Sequence, residues 1–393
     1  MSKVAFFVQW MLCGGVENAL ISLTNRLVEQ NHDVTIYVIE QKGEFINKIS
    51  SSVVLRKIPM DEKIRRSIPV GGTRVRIREC VAQKKMILAM EFAIRHKLNR
   101  QPYAEWNVNM DKIPQLDDEY DIAVNFHMHS PFLVWYLSER VNAKKKYTWI
   151  HNDFSTTQYD LEPLKPYLKC IDHYFAVAEN LRRELAERLP EARERMTVAL
   201  NIVPRQSILE KGDEFYPDEF KHAEWKGLKI LTVGRLEEQK GYDIAIDVCE
   251  RLKKSGAVFQ WFVLGEGTLR RQLENEIKRR NLEDCFHLLG VCMNPYPYFK
   301  NCDIYVQTSR HEGYVTTVTE AKIFNRPIVC TDVSGAKEQL VDGQNGNIVG
   351  INAADVFEKL SLLIQEPAMR ELYSRTLESS TASDNLEWLR VFE

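Results

Sequence analysis

Ser309–Lys322 reads SRHEGYVTTVTEAK, preceded by the short apolar run Asp303–Gln307 and followed by Pro327–Cys330. Turn-forming residues give way within it to a helical pattern, so the segment reads as strand, loop, helix, strand. Such a unit joins two parallel strands by a crossover and sets its loop at their carboxyl ends, where open α/β sheets take ligands. Glu312 falls on the loop and Glu320 on the helix, about 7 Å further along the helix axis. The amides of Val315, Thr316 and Thr317, at the helix start, have no carbonyl one turn back and can face an anion. Two carboxylates flanking an anion-binding turn fit a ligand with hydroxyls at both ends and phosphate between them, the shape of a nucleotide sugar.

With 393 residues the chain exceeds the size at which one core keeps growing, so two domains are expected. A net charge of -2 argues against a general nucleic-acid binder. Lys3 is followed by only a short apolar run, which does not read as a secretory leader, and no stretch approaches the ~20 apolar residues of a membrane span. The eight cysteines are scattered without a CxxC pair, and the expectation is buried free thiols in a reducing cytosol.

The amino-terminal half opens with the apolar run Val4–Val8, then QWMLCGGVENAL, in which Gly14 and Gly15 precede a helix striped by Val16, Leu20, Leu23 and Leu27. A glycine pair between strand and helix lets backbone approach a ligand, although the GxGxxG fingerprint is incomplete and two glycines also suit a plain turn. Val34–Ile39, Ile122–Phe126, Tyr174–Val177 and Val198–Val203 read as further strands. Residues 56–100 carry thirteen Lys or Arg against four acids, with apolar residues at near-helical spacing. This fits either a solvated basic face or a helix on an anionic membrane, and the segregation of charge favours the membrane. Asp117, Asp118, Glu119 and Asp121 crowd before a strand and read as a polar loop rather than a metal site. In KYTWIHNDF, His151 stands at a strand's carboxyl end, beside Asn152 and Asp153; His127 and His129 occupy an equivalent edge.

After a charged, proline-marked stretch over 206–226, a second α/β series begins. Leu228–Val233 leads into GRLEEQKG, where Arg235 and Lys240 lie between Gly234 and Gly241, followed by a helix with Ile244, Val248 and Leu252 on one face. Two cations near a helix start suit a diphosphate whose charge grows if its ester bond breaks. Phe259–Leu264 runs into GEGTLRRQLE, with Gly265 at another strand-to-helix turn. The loop after Gly290 opens with Val291. The economical architecture is α/β, with two doubly wound, Rossmann-like domains facing across a cleft. The expected boundaries are 1–205, a linker at 206–226, 227–375 and a terminal helix over 376–393 crossing back to the first domain.

Taken together these segments resemble retaining glycosyltransferases of the GT-B fold, glycosyltransferase family 4. GGVE (Gly14–Glu17), WIHND (Trp149–Asp153), NIV (Asn201–Val203), VGRLEEQKG (Val233–Gly241), LGEGTLRRQL (Leu264–Leu273), EGYVTTVTEA (Glu312–Ala321) and PIVCTDVSGAKEQLVDGQNGNIV (Pro327–Val349) are similar to family segments and fall in the same order. The resemblance implies that Arg235 and Lys240 hold a donor diphosphate, Glu320 the ribose, and Glu312 the sugar. The amides of Val315–Thr317 would complete the cradle, Gly15 would admit backbone to the sugar-phosphate, and His151 would meet a sugar hydroxyl. Gly14, Gly234, Gly265, Val291, Gly313 and Tyr314 complete the expected binding set. Val315 stands where the family usually has Gly or Pro, which would narrow the sugar pocket, and His311 is also unusual.

The implied activity is a cytoplasmic, metal-independent transfer of a hexose or N-acetylhexosamine, with retention, from a UDP-sugar to a lipid-linked or surface-polysaccharide acceptor. It requires no cofactor beyond the nucleotide sugar, involves no nucleic acid, and takes place at the inner face of the membrane if 56–100 touches it. The alternatives are a non-catalytic scaffold partner of an active transferase and, less well supported by motifs, an epimerase or phosphorylase.

Overall fold

A computed structural model describes residues 1–12, 14–68, 86, 90, 110–152, 154, 160–221, 227–379 and 386–393. The chain divides into two compact units. The first comprises Met1–Val177, Leu181–Ile202 and Leu386–Glu393; the second comprises Ala178–Asn180 and Val203–Asn385.

In the first unit, β1 (Lys3–Val8), β2 (Asp33–Val38), β3 (Val54–Lys57), β4 (Glu119–Asn125), β5 (Asn142–Ile150), β6 (His173–Ala176) and β7 (Met196–Val198) form one sheet. Its order is β3-β2-β1-β4-β5-β6-β7, and every pairing is parallel. Val4, Ala5, Phe6 and Phe7 are fully buried, as a continuous apolar run covered on both faces must be. Phe6 aligns with Ile36 on one side and Val124 on the other. The strand order reverses at β1, so the loops after β1 and β4 leave the sheet on either side of a switch point.

The second unit repeats the pattern with β8 (Leu228–Val233), β9 (Phe259–Leu264), β10 (Phe286–Gly290), β11 (Ile304–Gln307), β12 (Ile328–Thr331) and β13 (Asn347–Val349), ordered β10-β9-β8-β11-β12-β13. Alternate residues divide between two cores. Trp261, Val263, Ile304 and Val306 face a cluster completed by the helices Tyr242–Lys254 and Ala353–Gln365. Phe262, Leu264, Tyr305 and Cys330 face another with Phe299, Val318 and Ala321. Helices therefore cover both faces, and the switch point falls between β8 and β11.

Several sequence expectations change. The strand expected over Val198–Val203 is β7, Met196–Val198, because its partner β6 ends at Ala176 and the Ala199 amide makes the last ladder bond to the Ala176 carbonyl. Asn201 lies beyond it. The stretch 206–226 is not a free linker in its described part. The helix Arg205–Gly212, which starts after Pro204, buries Ile208 in the second unit's core, and Phe220 packs 4.7 Å from Phe262. The terminal element is also different: one helix spans Pro367–Ser379, and a separate 3-10 turn, Glu387–Phe392, packs on the first unit. There the Ser2 hydroxyl donates to the Phe392 carbonyl at 3.0 Å, and Trp388 stands edge-on to Trp149 at 5.3 Å.

Most of the basic stretch, at 69–85, 87–89 and 91–100, and the membrane contact expected of it, lie outside the described residues. Two of its cations serve the fold: Arg56 pairs with Asp118 at 2.7 Å, and buried Arg65 donates to the Ile39 and Ile58 carbonyls. The acidic cluster is likewise structural, although Glu119 and Asp121 lie on β4 rather than on a loop, and Asp121 takes the Lys3 amide and the Lys144 ammonium. Among the cysteines, Cys170 is exposed, against expectation, and Cys249 and Cys285 bring their sulfurs to 3.6 Å. No helix among the described residues is long and apolar enough to cross a membrane.

Candidate functional site

In the second unit the loops after β8 and β11 are stitched together at the carboxyl edge of the sheet. Gly241 adopts φ +64, and a Cβ there would lie 2.1 Å from the Thr308 carbonyl oxygen, so only glycine lets the two backbones meet. The Thr308 hydroxyl donates to the Lys240 carbonyl at 3.0 Å, the Arg310 amide to the Gln239 carbonyl at 2.7 Å, and the Gln239 side chain to the His311 carbonyl at 2.9 Å. Arg310 grips Asp243 through two nitrogens at 2.8 and 2.6 Å, and this holds the Asp243 carboxyl below its ordinary range.

These contacts bring together two residues that lie far apart in sequence. Lys240 Nζ sits 2.5 Å from Glu312 Oε1, with the two side chains only 15% and 10% exposed. Ser309 Oγ donates to the same oxygen at 2.6 Å. Arg235, on the loop with Lys240, is exposed, and its side chain makes no hydrogen bond or ion pair to a described residue. The site thus presents one cation neutralised by a carboxylate and one that is open. Gly265 packs on Gly234, where a Cβ would stand 1.9 Å from the carbonyl oxygen, so it shapes the Arg235 loop through backbone contact. Val291 is exposed just past β10.

Beyond Glu312, the buried Gly313 and the half-buried Tyr314 lead to the helix Thr316–Ile323, capped by Val315. Thr316 and Thr317 are its first residues, whose amides have no intrahelical acceptor, and Glu320 lies half-buried one turn on. The Val315 side chain is 2% exposed and belongs to the apolar core with Val318 and Ala321.

In the first unit, Gly14 is the extended cap of the helix Gly15–Glu29, and a Cβ on it would meet the Glu17 carboxylate. His151 follows β5 and is 5% exposed, against Phe126 at 4.6 Å. Burial pushes its pKa well below the ordinary imidazole value, and the nearby His127 and His129 push the same way. The ring is therefore neutral near pH 7, and its buried Nε2 finds no partner among the described residues. The structure thus gathers Lys240, Glu312, Arg235, Gly234, Gly265 and the 313–320 segment in one unit, and His151, Gly14 and Gly15 in the other. Among the described residues, no group of three or more His, Cys, Asp or Glu is disposed to hold a metal.

Sequence reasoning missed Gln307, Ser309 and Gln239. Gln307 ends an apolar strand and is 1% exposed. A glutamine at the end of IYVQ carries the signal, because a buried amide requires partners.

Residues 217–378 match the family model described as Glycosyl transferases group 1. The structure of Anabaena HepE in complex with UDP and glucose superposes with a TM-score of 0.71 at 14% identity, covering 100% of this chain and 97% of that one. The fold is that of GT-B glycosyltransferases. At the level of individual proteins, the N-acetylgalactosamine-N,N'-diacetylbacillosaminyl-diphospho-undecaprenol 4-alpha-N-acetylgalactosaminyltransferase of Campylobacter jejuni is 34% identical over 146 residues, 37% of this chain. The chain spans 39% of that relative's length. An uncharacterized glycosyltransferase of Haemophilus influenzae is 24% identical over 391 residues, 97% of this chain and 94% of that protein.

Proposed function

We propose that the chain is a retaining, metal-independent glycosyltransferase moving a hexose or N-acetylhexosamine from a UDP-sugar to a lipid-linked or surface-polysaccharide acceptor. The observation that carries this reading is the meeting of Lys240 and Glu312 beside the open cation Arg235, at a sheet edge and next to free helix amides. UDP and glucose bound to HepE support the donor class, and the diphospho-undecaprenol in the name of the Campylobacter relative supports the acceptor class.

In this mechanism Arg235, Lys240 and the Thr316–Thr317 amides receive the diphosphate, and Glu320 the ribose. As the bond from the anomeric carbon to the phosphate oxygen breaks, negative charge grows on the phosphate, where the cations stabilise it. Glu312 accepts hydrogen bonds from sugar hydroxyls and holds the carbon as it becomes oxocarbenium-like. The acceptor hydroxyl attacks on the face the phosphate leaves, and its proton passes to the departing phosphate oxygen. Basic residues within 56–100 would hold the enzyme to the cytoplasmic face of an anionic membrane, close to such acceptors.

A panel of nucleotide sugars scored by thermal shift identifies the donor, because a ligand bound only by the native state raises its stability. Lys240→Ala is expected to lose about 2–4 kcal/mol of transition-state stabilisation, or roughly 30- to 1,000-fold in kcat. Arg235→Ala is expected to lose turnover while leaving the urea midpoint unchanged, because the side chain is exposed and makes no ion pair among the described residues. Turnover near wild type in both variants rejects the reading.

A further inference from the structure

We propose that Gln307, acting through Ser309, is a positioning residue that determines which oxygen of Glu312 faces the donor sugar; this rests on the glycosyltransferase reading above. Gln307 closes β11 on the same side of the strand as Tyr305, two residues earlier. Its Oε1 accepts the Tyr305 hydroxyl at 2.5 Å and the Thr317 hydroxyl at 3.2 Å. The amide orientation is set from the carboxylate end: Glu312 only accepts, so the single Ser309 proton goes to it and Ser309 must accept from Gln307, whose nitrogen therefore faces Ser309 Oγ at 2.6 Å and, more distantly, Glu312 Oε1 at 3.4 Å. Ser309, having accepted from Gln307, gives its own proton to Glu312 Oε1 at 2.6 Å. The donors run in one direction, Tyr305 to Gln307 to Ser309 to Glu312, and end on a single carboxylate oxygen.

That oxygen also takes Lys240 at 2.5 Å, whereas Oε2 has, among the described residues, only the Gln239 amide at 3.4 Å. Oε1 is saturated by the protein, and Oε2 keeps its lone pairs for a ligand. The Thr331 hydroxyl secures the backbone beneath, donating to the Ser309 carbonyl at 2.6 Å. An apolar residue at position 307 would spare the cost of burying an amide and would continue the run Ile304–Val306. Glutamine instead converts the strand end into a fixed hydrogen-bond relay, which a low-dielectric interior strengthens. The consequence is confined to one half of the donor. The nucleotide and diphosphate meet Arg235, Lys240 and Glu320, and only the sugar meets the oxygen that the relay leaves open.

Gln307→Met keeps the volume and removes the relay. The test measures kcat and, by calorimetry, the affinities for UDP and for the UDP-sugar that wild type turns over, in wild type, Gln307→Met, Glu312→Ala and the double variant. The expected result for Gln307→Met is UDP affinity within about twofold of wild type, a weaker intact donor, and a roughly 10–100-fold lower kcat, the scale of a misplaced contact. In the Glu312→Ala background the same change is expected to alter donor affinity by less than about twofold, because the two residues act as one unit. Equal effects in both backgrounds, or a parallel loss of UDP affinity, overturn the proposal. If Gln307→Met does not fold, Ser309→Ala cuts the last link with a smaller change, and the same cycle decides. A wild-type chain that binds UDP but turns over no sugar nucleotide overturns the transferase reading and this inference with it. An active wild type with additive effects overturns this inference alone.

Discussion

His151 is a buried imidazole with a nitrogen that has no partner among the described residues, and its environment has a measurable price in acid. Its folded pKa lies well below the unfolded value of about 6.5, first through desolvation and then through His127 and His129. Above that pH neither state binds the proton, so the residue adds no pH dependence. As the pH falls below it, the unfolded chain takes up a proton that the native chain refuses, and stability declines by up to about 1.4 kcal/mol per pH unit. His32 and His173 are depressed in the same direction and continue to contribute. Urea unfolding of His151→Asn between pH 7 and pH 5 is expected to show a shallower slope by about one proton, and an unchanged slope refutes this. Glu312 and His151 were both legible in the sequence, because charged or ionisable residues at strand ends announce themselves. Gln307 was not, because a neutral amide within a strand pattern gives no charge to notice, and its importance appears only when Tyr305, Ser309 and Thr317 converge on it.

Among the elements, the strands that begin and end on sharp composition changes were readable to the residue, as in β8 and β9. Where the boundary is set by the neighbour, as when β6 runs out beneath β7, the sequence of the strand itself holds no mark of it. Helix Arg205–Gly212 was hidden for a related reason: its one deeply buried side chain, Ile208, is too little for a visible stripe. Glycines separate by what surrounds them. Gly241 and Gly343 both have positive φ, +64 and +73, but a Cβ would collide with Thr308 at the first and meet nothing at the second. Gly343→Ala is expected to cost only about 1–2 kcal/mol of left-handed strain. Gly241→Ala adds a backbone collision, so its loss in chemical denaturation exceeds that of Gly343→Ala, and on the proposed function donor binding fails with it as the Lys240 and Glu312 loops part. Equal losses for the two would contradict the stitched-loop description.

For the molecule as a whole, two sheets of like strand order were foreseeable from a repeated α/β pattern, and the tail's destination was suggested by Leu386, Leu389 and Phe392. What no local pattern revealed is how closely that tail is built in. Phe392 is fully buried, stacked on Phe6 at 6.2 Å and edge-on to Tyr147 at 6.0 Å, while the Tyr147 hydroxyl donates to the Val391 carbonyl. Removing 386–393 uncovers these rings, and hydrogen exchange is expected to accelerate in β1, β5 and β6 but not in β8, β9 or β11. Uniform protection after truncation would show the tail to be dispensable.

Because residues at both extremities complete the first unit, the second is spliced into it rather than appended. On the ribosome, β1 and β5 emerge early, but some 240 further residues must follow β5 before Phe392 can seal them. During that interval, while the inserted unit has all of its own strands at hand, the earlier sheet exposes Phe6 and Trp149 as an adhesive face. The half of the protein made first is therefore the half finished last, and nascent chains stalled short of residue 386 are where chaperone engagement should concentrate.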